Sequence, residues 1–73
     1  MDAPTADASI KAFVPLMRER LQQALSIAVA AEACSAAGNH DKAIEIILDV
    51  EQLIYEVTTL LNAASLINRL GDS

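Results

Sequence analysis

Residues 41–70 read DKAIEIILDVEQLIYEVTTLLNAASLINRL, and this stretch decides the fold. One apolar set recurs every seven residues, a second follows it three residues later, and a third follows four residues later. The three sets are Ala43, Val50, Val57 and Ala64; Ile46, Leu53, Leu60 and Ile67; and Ile47, Ile54 and Leu61. Polar residues occupy the opposite side of the helical wheel: Glu45, Asp49, Gln52, Glu56 and Thr59. This heptad pattern with a wide apolar face predicts an amphipathic helix that packs in a bundle.

The ends of this helix carry the expected signals. Asn39 or Asp41 can cap its N-terminus by accepting hydrogen bonds from free backbone N–H groups. Arg69 followed by Gly71 suits a C-terminus. We therefore predict a helix over about 41–70.

The preceding segment predicts a second long helix, over about 15–37. One side of it carries larger apolar residues and alanines: Leu16, Met17, Leu21, Leu25, Ala28 and Ala31. Beyond Ala24 almost no polar face remains, which is typical of a helix buried on more than one side. Gly38 is the natural left-handed stop.

Pro15 leaves two alternatives for the start of this helix. In a helix interior, proline removes one hydrogen bond and clashes with the carbonyl four residues earlier, at a cost of about 3 kcal/mol. Placed in the first turn it costs nothing. Residues 7–13 then form a short separate helix. A kinked continuous helix is the other solution.

The link between the two long helices, residues 38–40, is short enough to make them antiparallel neighbours. The predicted fold is an all-α helical hairpin. Residues 7–70 form its single domain. Residues 1–6 are assigned to a disordered N-terminal tail and residues 71–73 to a C-terminal tail.

Composition limits the function. The chain has 73 residues and a formal net charge of −5, which allows one domain and argues against nucleic acid or an anionic membrane as partner. So short a chain leaves little to enclose a pocket, so we expect no enzyme activity, cofactor or small-molecule substrate. A single cysteine and an acidic N-terminus favour a cytoplasmic location.

The residues that could carry chemistry form no recognisable site. Cys34 precedes His40 by six residues, but it lies in an alanine-rich segment at a helix C-terminus, where the dipole disfavours a thiolate. His40 lies in the predicted turn without the further ligands that a metal needs. The acidic stripe of Glu45, Asp49 and Glu56 is typical of a solvated face, or of an acidic surface for a partner.

A hairpin alone leaves apolar surface uncovered, because Ile44, Leu48, Tyr55, Leu66 and Leu70 lie outside the main heptad face. We expect a homodimeric four-helix bundle in which a head-to-tail copy sets the basic open end against the acidic turn end. Its predicted self-association or partner face consists of Ala28, Ala31, Ile47, Val50, Ile54, Tyr55, Val57 and Leu61. The alternative is a chaperone or antagonist whose apolar face is completed by a different protein.

The turn, AAGNHDKAIE at residues 36–45, resembles the inter-helix turn of tetratricopeptide repeats and the related MIT domains. Gly38, Asn39 and Ala43 match the turn glycine, the residue after it and the small packing residue of the second helix. His40 stands where those families prefer tyrosine. The resemblance spans only Ala31 to Glu45, and no second repeat follows. It implies a hairpin and, more weakly, peptide or protein binding.

Overall fold

The structure is a computed structural model, and it describes residues 3–71. Three helices follow one another: α1 (Ala3–Ala36), α2 (His40–Ile47) and α3 (Val50–Gly71). The described part of the chain contains no strand. α1 packs along one side of α2 and α3, which confirms the predicted all-α hairpin. The hairpin is 53 Å long, which is about the length of α1 alone at roughly 1.5 Å per residue.

The turn forms because Gly38 adopts a φ of +86°, in the left-handed region. The N–H of Gly38 donates to the Ser35 carbonyl and the N–H of Asn39 to the Cys34 carbonyl, both at 2.9 Å. This pair of bonds satisfies two of the last carbonyls of α1 in the Schellman arrangement. The Asn39 side chain then accepts from the Lys42 N–H at 3.2 Å and caps α2. Of the two predicted caps, Asn39 is the one used.

The start of the first helix differs from the prediction. α1 runs without interruption through Pro15, so the separate helix over 7–13 was wrong and the continuous helix is the solution adopted. Pro15 is exposed on the outer side of α1, where the carbonyl of Lys11 can bond to water instead. Phe13 and Met17, on either side of the proline, are partly buried, so the inner side of α1 continues past it.

The helices also extend into the segments predicted as tails. Residues 3–6 belong to the first turns of α1, although the sequence analysis assigned them to a disordered tail. Gly71 is the last residue of α3, whereas the sequence predicted that the C-terminal tail begins there. Residues 1–2 and 72–73 lie outside the described residues.

The second arm of the hairpin consists of two helices, α2 and α3, where the sequence predicted one. At the junction the N–H of Asp49 donates to the Ile46 carbonyl, and the N–H of Glu51 to the Leu48 carbonyl, at 3.1 and 3.2 Å. These three-residue spacings wind the chain more tightly for one turn. Neither glycine nor proline occurs there, so the sequence held no strong breaker signal. The heptad nevertheless continues across the junction, because Ile46 and Val50 both remain partly buried.

The core is one seam of side chains between the arms, at alternating spacings of three and four residues. The α1 side of this seam is Ile10, Phe13, Met17, Arg20, Ala24, Ile27, Ala31 and Cys34. The α2–α3 side is Ala43, Ile46, Val50, Leu53, Val57, Leu60, Ala64 and Ile67, which are the first two apolar sets of the sequence analysis.

The α1 side of the seam corrects the predicted apolar face. Leu16, Leu21 and Leu25 lie outside the seam and are exposed, while Arg20 and Ala24 lie within it. The small side chains of Ala24 and Ala31 let the two arms approach closely, and they are among the few buried residues. None of the three helices is long and apolar enough for a bilayer crossing over the described residues.

Candidate interaction face

The hairpin has two sides, and the heptad register decides which residues lie on each. In an antiparallel helix pair, the positions that flank the seam on one edge of both helices meet on a common side. At the turn, Ser35 Oγ lies 3.3 Å from His40 Nδ1. At the open end, Asp7, Leu61 and Asn68 line one shallow depression. These contacts mark the two ends of the same side.

Steps of seven residues connect those two ends. From Ser35 the positions on α1 are 28, 21, 14 and 7; from His40 the positions on the second arm are 47, 54, 61 and 68. Three successive pairs between the polar ends are therefore apolar. We call them the apolar face: Ala28 with Ile47, Leu21 with Ile54, and Val14 with Leu61.

The apolar face is open to solvent. Its five larger side chains, Val14, Leu21, Ile47, Ile54 and Leu61, are between 40% and 55% exposed. Leu25 and Ile44 extend it at the edges and are exposed as well. The first and third pairs are two seven-residue steps apart, which is about 20 Å of helix at roughly 1.5 Å per residue. This is a contiguous apolar strip with polar residues at both ends.

The predicted self-association set divides between the seam and the surface. Ala31, Val50 and Val57 lie in the seam and are buried or partly buried between the two arms, and Ala28 is partly buried within the apolar face. The others remain exposed: Ile47, Ile54, Tyr55 and Leu61. Leu21 and Val14, which belong to the apolar face, were missing from the predicted set. Their seven-residue spacing was the signal that could have identified them.

The opposite side of the hairpin carries the ion pairs and is called the polar side, although Leu16, Leu66 and Leu70 are also exposed there. Arg20 Nε donates to Glu56 Oε2 at 3.0 Å, and Lys42 Nζ lies 3.6 Å from Glu45 Oε1. The three predicted acidic residues, Glu45, Asp49 and Glu56, do lie on this side, but two of them pair with cations of the same chain. Asp49 borders a shallow depression with Leu48 and Tyr55.

The side chains that could react or bind a metal do not come together in one site. Cys34 occupies a partly buried seam position, while His40 is exposed and contacts Ser35. Within residues 3–71, no three His, Cys, Asp or Glu side chains gather closely enough to hold a metal ion. The apolar face is therefore the candidate functional site.

Comparison of the chain with protein-family models, with curated proteins and with solved structures finds no match.

Proposed function

We propose that this protein is a non-enzymatic protein–protein interaction module, a cytoplasmic regulator or adaptor, that acts as a homodimeric four-helix bundle. The apolar face is the observation that carries the proposal. A contiguous strip of exposed Val, Leu and Ile is typical of a surface that is covered by another protein. The ends of the face are polar, and the ion pairs of Arg20 with Glu56 and of Lys42 with Glu45 lie on the opposite side.

The surface area supports a covered face. The chain exposes 5236 Å², whereas a compact monomer of 7.8 kDa exposes roughly 4,400 Å² by the usual size scaling. The excess is close to the roughly 800 Å² that each partner buries in a standard protein–protein interface. Docking a second hairpin on the apolar face accounts for a difference of this size.

The thin core supports the same proposal. Ala24, Ala31 and Ile67 are the buried apolar residues of the described chain, at 6–9% exposure, and two of them are alanines. Domains below roughly 70–80 residues seldom gain enough stability from a single core and commonly oligomerise. A second layer of helices would cover Leu21 and Ile54, which are 47% and 44% exposed, and would gain about half of the roughly 1.5–3 kcal/mol that full burial of each side chain contributes.

The alternative is a chaperone or antagonist whose apolar face is completed by a different protein. The same exposed residues favour it, and so does the resemblance of the turn to tetratricopeptide repeats. In that case the chain alone is a monomer or a weak dimer.

Absolute mass in solution separates the two. We expect light scattering across a dilution series from about 100 μM to give twice 7.8 kDa at every concentration. A stable dimer does not dissociate while the protein concentration stays above its dissociation constant. A mass of 7.8 kDa throughout would contradict the homodimer and favour the heterologous partner.

A further inference from the structure

We propose that the second copy of the chain docks head-to-tail on the apolar face, with α1 lying antiparallel to α1 of the partner and the second arm antiparallel to its counterpart. This inference rests on the homodimer proposed above and specifies its geometry. The two-fold axis then passes through the central pair, Leu21 and Ile54, and each turn lies against the open end of the other copy.

Two symmetric ways of stacking the hairpins exist. In the head-to-head arrangement, the turns lie at the same end and α1 faces the second arm of the other copy. In the head-to-tail arrangement, the turns lie at opposite ends and each arm faces its own equivalent. Both arrangements cover the three apolar pairs, so hydrophobic burial does not choose between them. The charges along the hairpin do.

Charge is unequally divided along the hairpin. In the turn half, residues 22–54, the charged residues are Glu32, Asp41, Glu45, Asp49, Glu51 and Lys42. In the open half, within residues 3–21 and 55–71, they are Lys11, Arg18, Arg20, Arg69, Asp7, Glu19 and Glu56. Head-to-head stacking brings the two strongly acidic halves together. Head-to-tail stacking places each acidic half on the half that carries most of the cations, which lowers the electrostatic energy of the dimer.

One residue pair makes this complementarity specific. Lys11 lies ten residues before Leu21 and Glu32 lies eleven residues after it, both on the flank of α1 that borders the apolar face. Both side chains are exposed, and neither forms an ion pair within residues 3–71. A two-fold axis at Leu21 brings Lys11 to the level of Glu32 of the partner subunit, and does so twice. In the head-to-head arrangement the residues at the level of Lys11 and Glu32 are uncharged, Ser65 and Ile44.

Charge exchange tests the geometry. In Lys11→Glu, two carboxylates meet at each of the two sites; in Glu32→Lys, two ammonium groups meet. We expect each variant alone to raise the dimer dissociation constant about tenfold, the effect of reversing two exposed pairs. An equimolar mixture restores opposite charges at both sites, so it should dimerise within about twofold of the unaltered chain. Sedimentation equilibrium measures all three constants, and circular dichroism confirms that each variant keeps its helix content.

Glu45→Lys is the matched control. It makes the same change in net charge as Glu32→Lys in the same half of the hairpin, but on the polar side. We expect it to change the dissociation constant less than Glu32→Lys does, and we expect it not to rescue Lys11→Glu when the two are mixed.

The outcomes separate this inference from the proposed function. Variants that dimerise like the unaltered chain, or that are weakened without rescue in the mixture, would overturn the head-to-tail geometry while the homodimer stands. An unaltered chain that remains monomeric at every concentration would overturn both, and this is seen before any variant is made.

Discussion

The guanidinium of Arg20 reaches across the hairpin and donates from Nε to Oε2 of Glu56 at 3.0 Å. Arg20 occupies a seam position on α1, and its side chain is only 29% exposed. Its Nη1 also lies 3.4 Å from Oε1 of Glu19. The methylene groups of Arg20 thus lie in the seam, while its guanidinium reaches Glu56 on the polar side.

This relationship predicts unequal effects for its two members. Glu56→Ala leaves a partly buried guanidinium without its cross-arm partner, and we expect it to lower the free energy of unfolding by about 1 kcal/mol. Arg20→Leu replaces the ion pair with apolar contact and should leave stability unchanged or raised. Urea denaturation measures both. Glu45→Ala removes an exposed carboxylate from its pair with Lys42 and should have little effect. Equal losses from Glu56→Ala and Glu45→Ala would contradict the assigned role.

Pro15 predicts a stabilising substitution. In Pro15→Ala a new N–H can donate to the Lys11 carbonyl within α1, and the ring clash disappears. We expect a gain of about 2 kcal/mol after the extra freedom of the unfolded chain is subtracted, seen as a higher melting temperature. Pro4→Ala is the control, because an N–H at the second residue of a helix has no acceptor within it. A Pro15→Ala chain that melts no higher would contradict the continuous helix.

Gly38 predicts a loss caused by the backbone alone. Apart from Gly38 itself and its two chain neighbours, no atom lies within 4 Å of the position that a Cβ would occupy, so the surrounding structure leaves room for Gly38→Ala. The φ of +86° still disfavours an L-residue, and we expect Gly38→Ala to cost about 1–2 kcal/mol. Gly38→Asn should cost less, since asparagine tolerates this region better. Thermal melting of both variants provides the measurement; the reverse order would show that the turn does not depend on the left-handed conformation.

The apolar face predicts a difference between two exposed residues. Ile54→Asp places a charge at the centre of the face and should dissociate the homodimer, halving the mass measured by light scattering. Leu66 is similarly exposed but lies on the opposite side, seven residues after Thr59, which borders a depression with Leu16 and Glu56. Leu66→Asp should therefore leave the mass unchanged. An Ile54→Asp chain that stays dimeric with unaltered melting would remove Ile54 from the interface.

Much of the hairpin could be predicted from local signals. Gly38 and Asn39 are strong turn residues because few others adopt a left-handed conformation or cap a helix well. The seven-residue recurrence from Ala43 to Ile67 identifies the inward side of the second arm. The break at Leu48 and Asp49 could not be predicted, because no glycine or proline marks it. The path through Pro15 was open in the sequence, and it keeps Phe13 and Met17 partly buried on the inner side of α1.

The apolar face was harder to predict from the sequence than the hairpin. On α1 the larger leucines, Leu21 and Leu25, suggested an inward face, but the arms approach along Ala24 and Ala31. Hydrophobicity alone ranks leucine above alanine, whereas close helix packing favours the smaller side chain. The sequence by itself determined the two arms, their turn and the seam of the second arm, since these follow from local conformational preference and periodicity. Only the tertiary structure decided which side of α1 is inward, and with it the apolar face, because that choice depends on how closely two helices can pack.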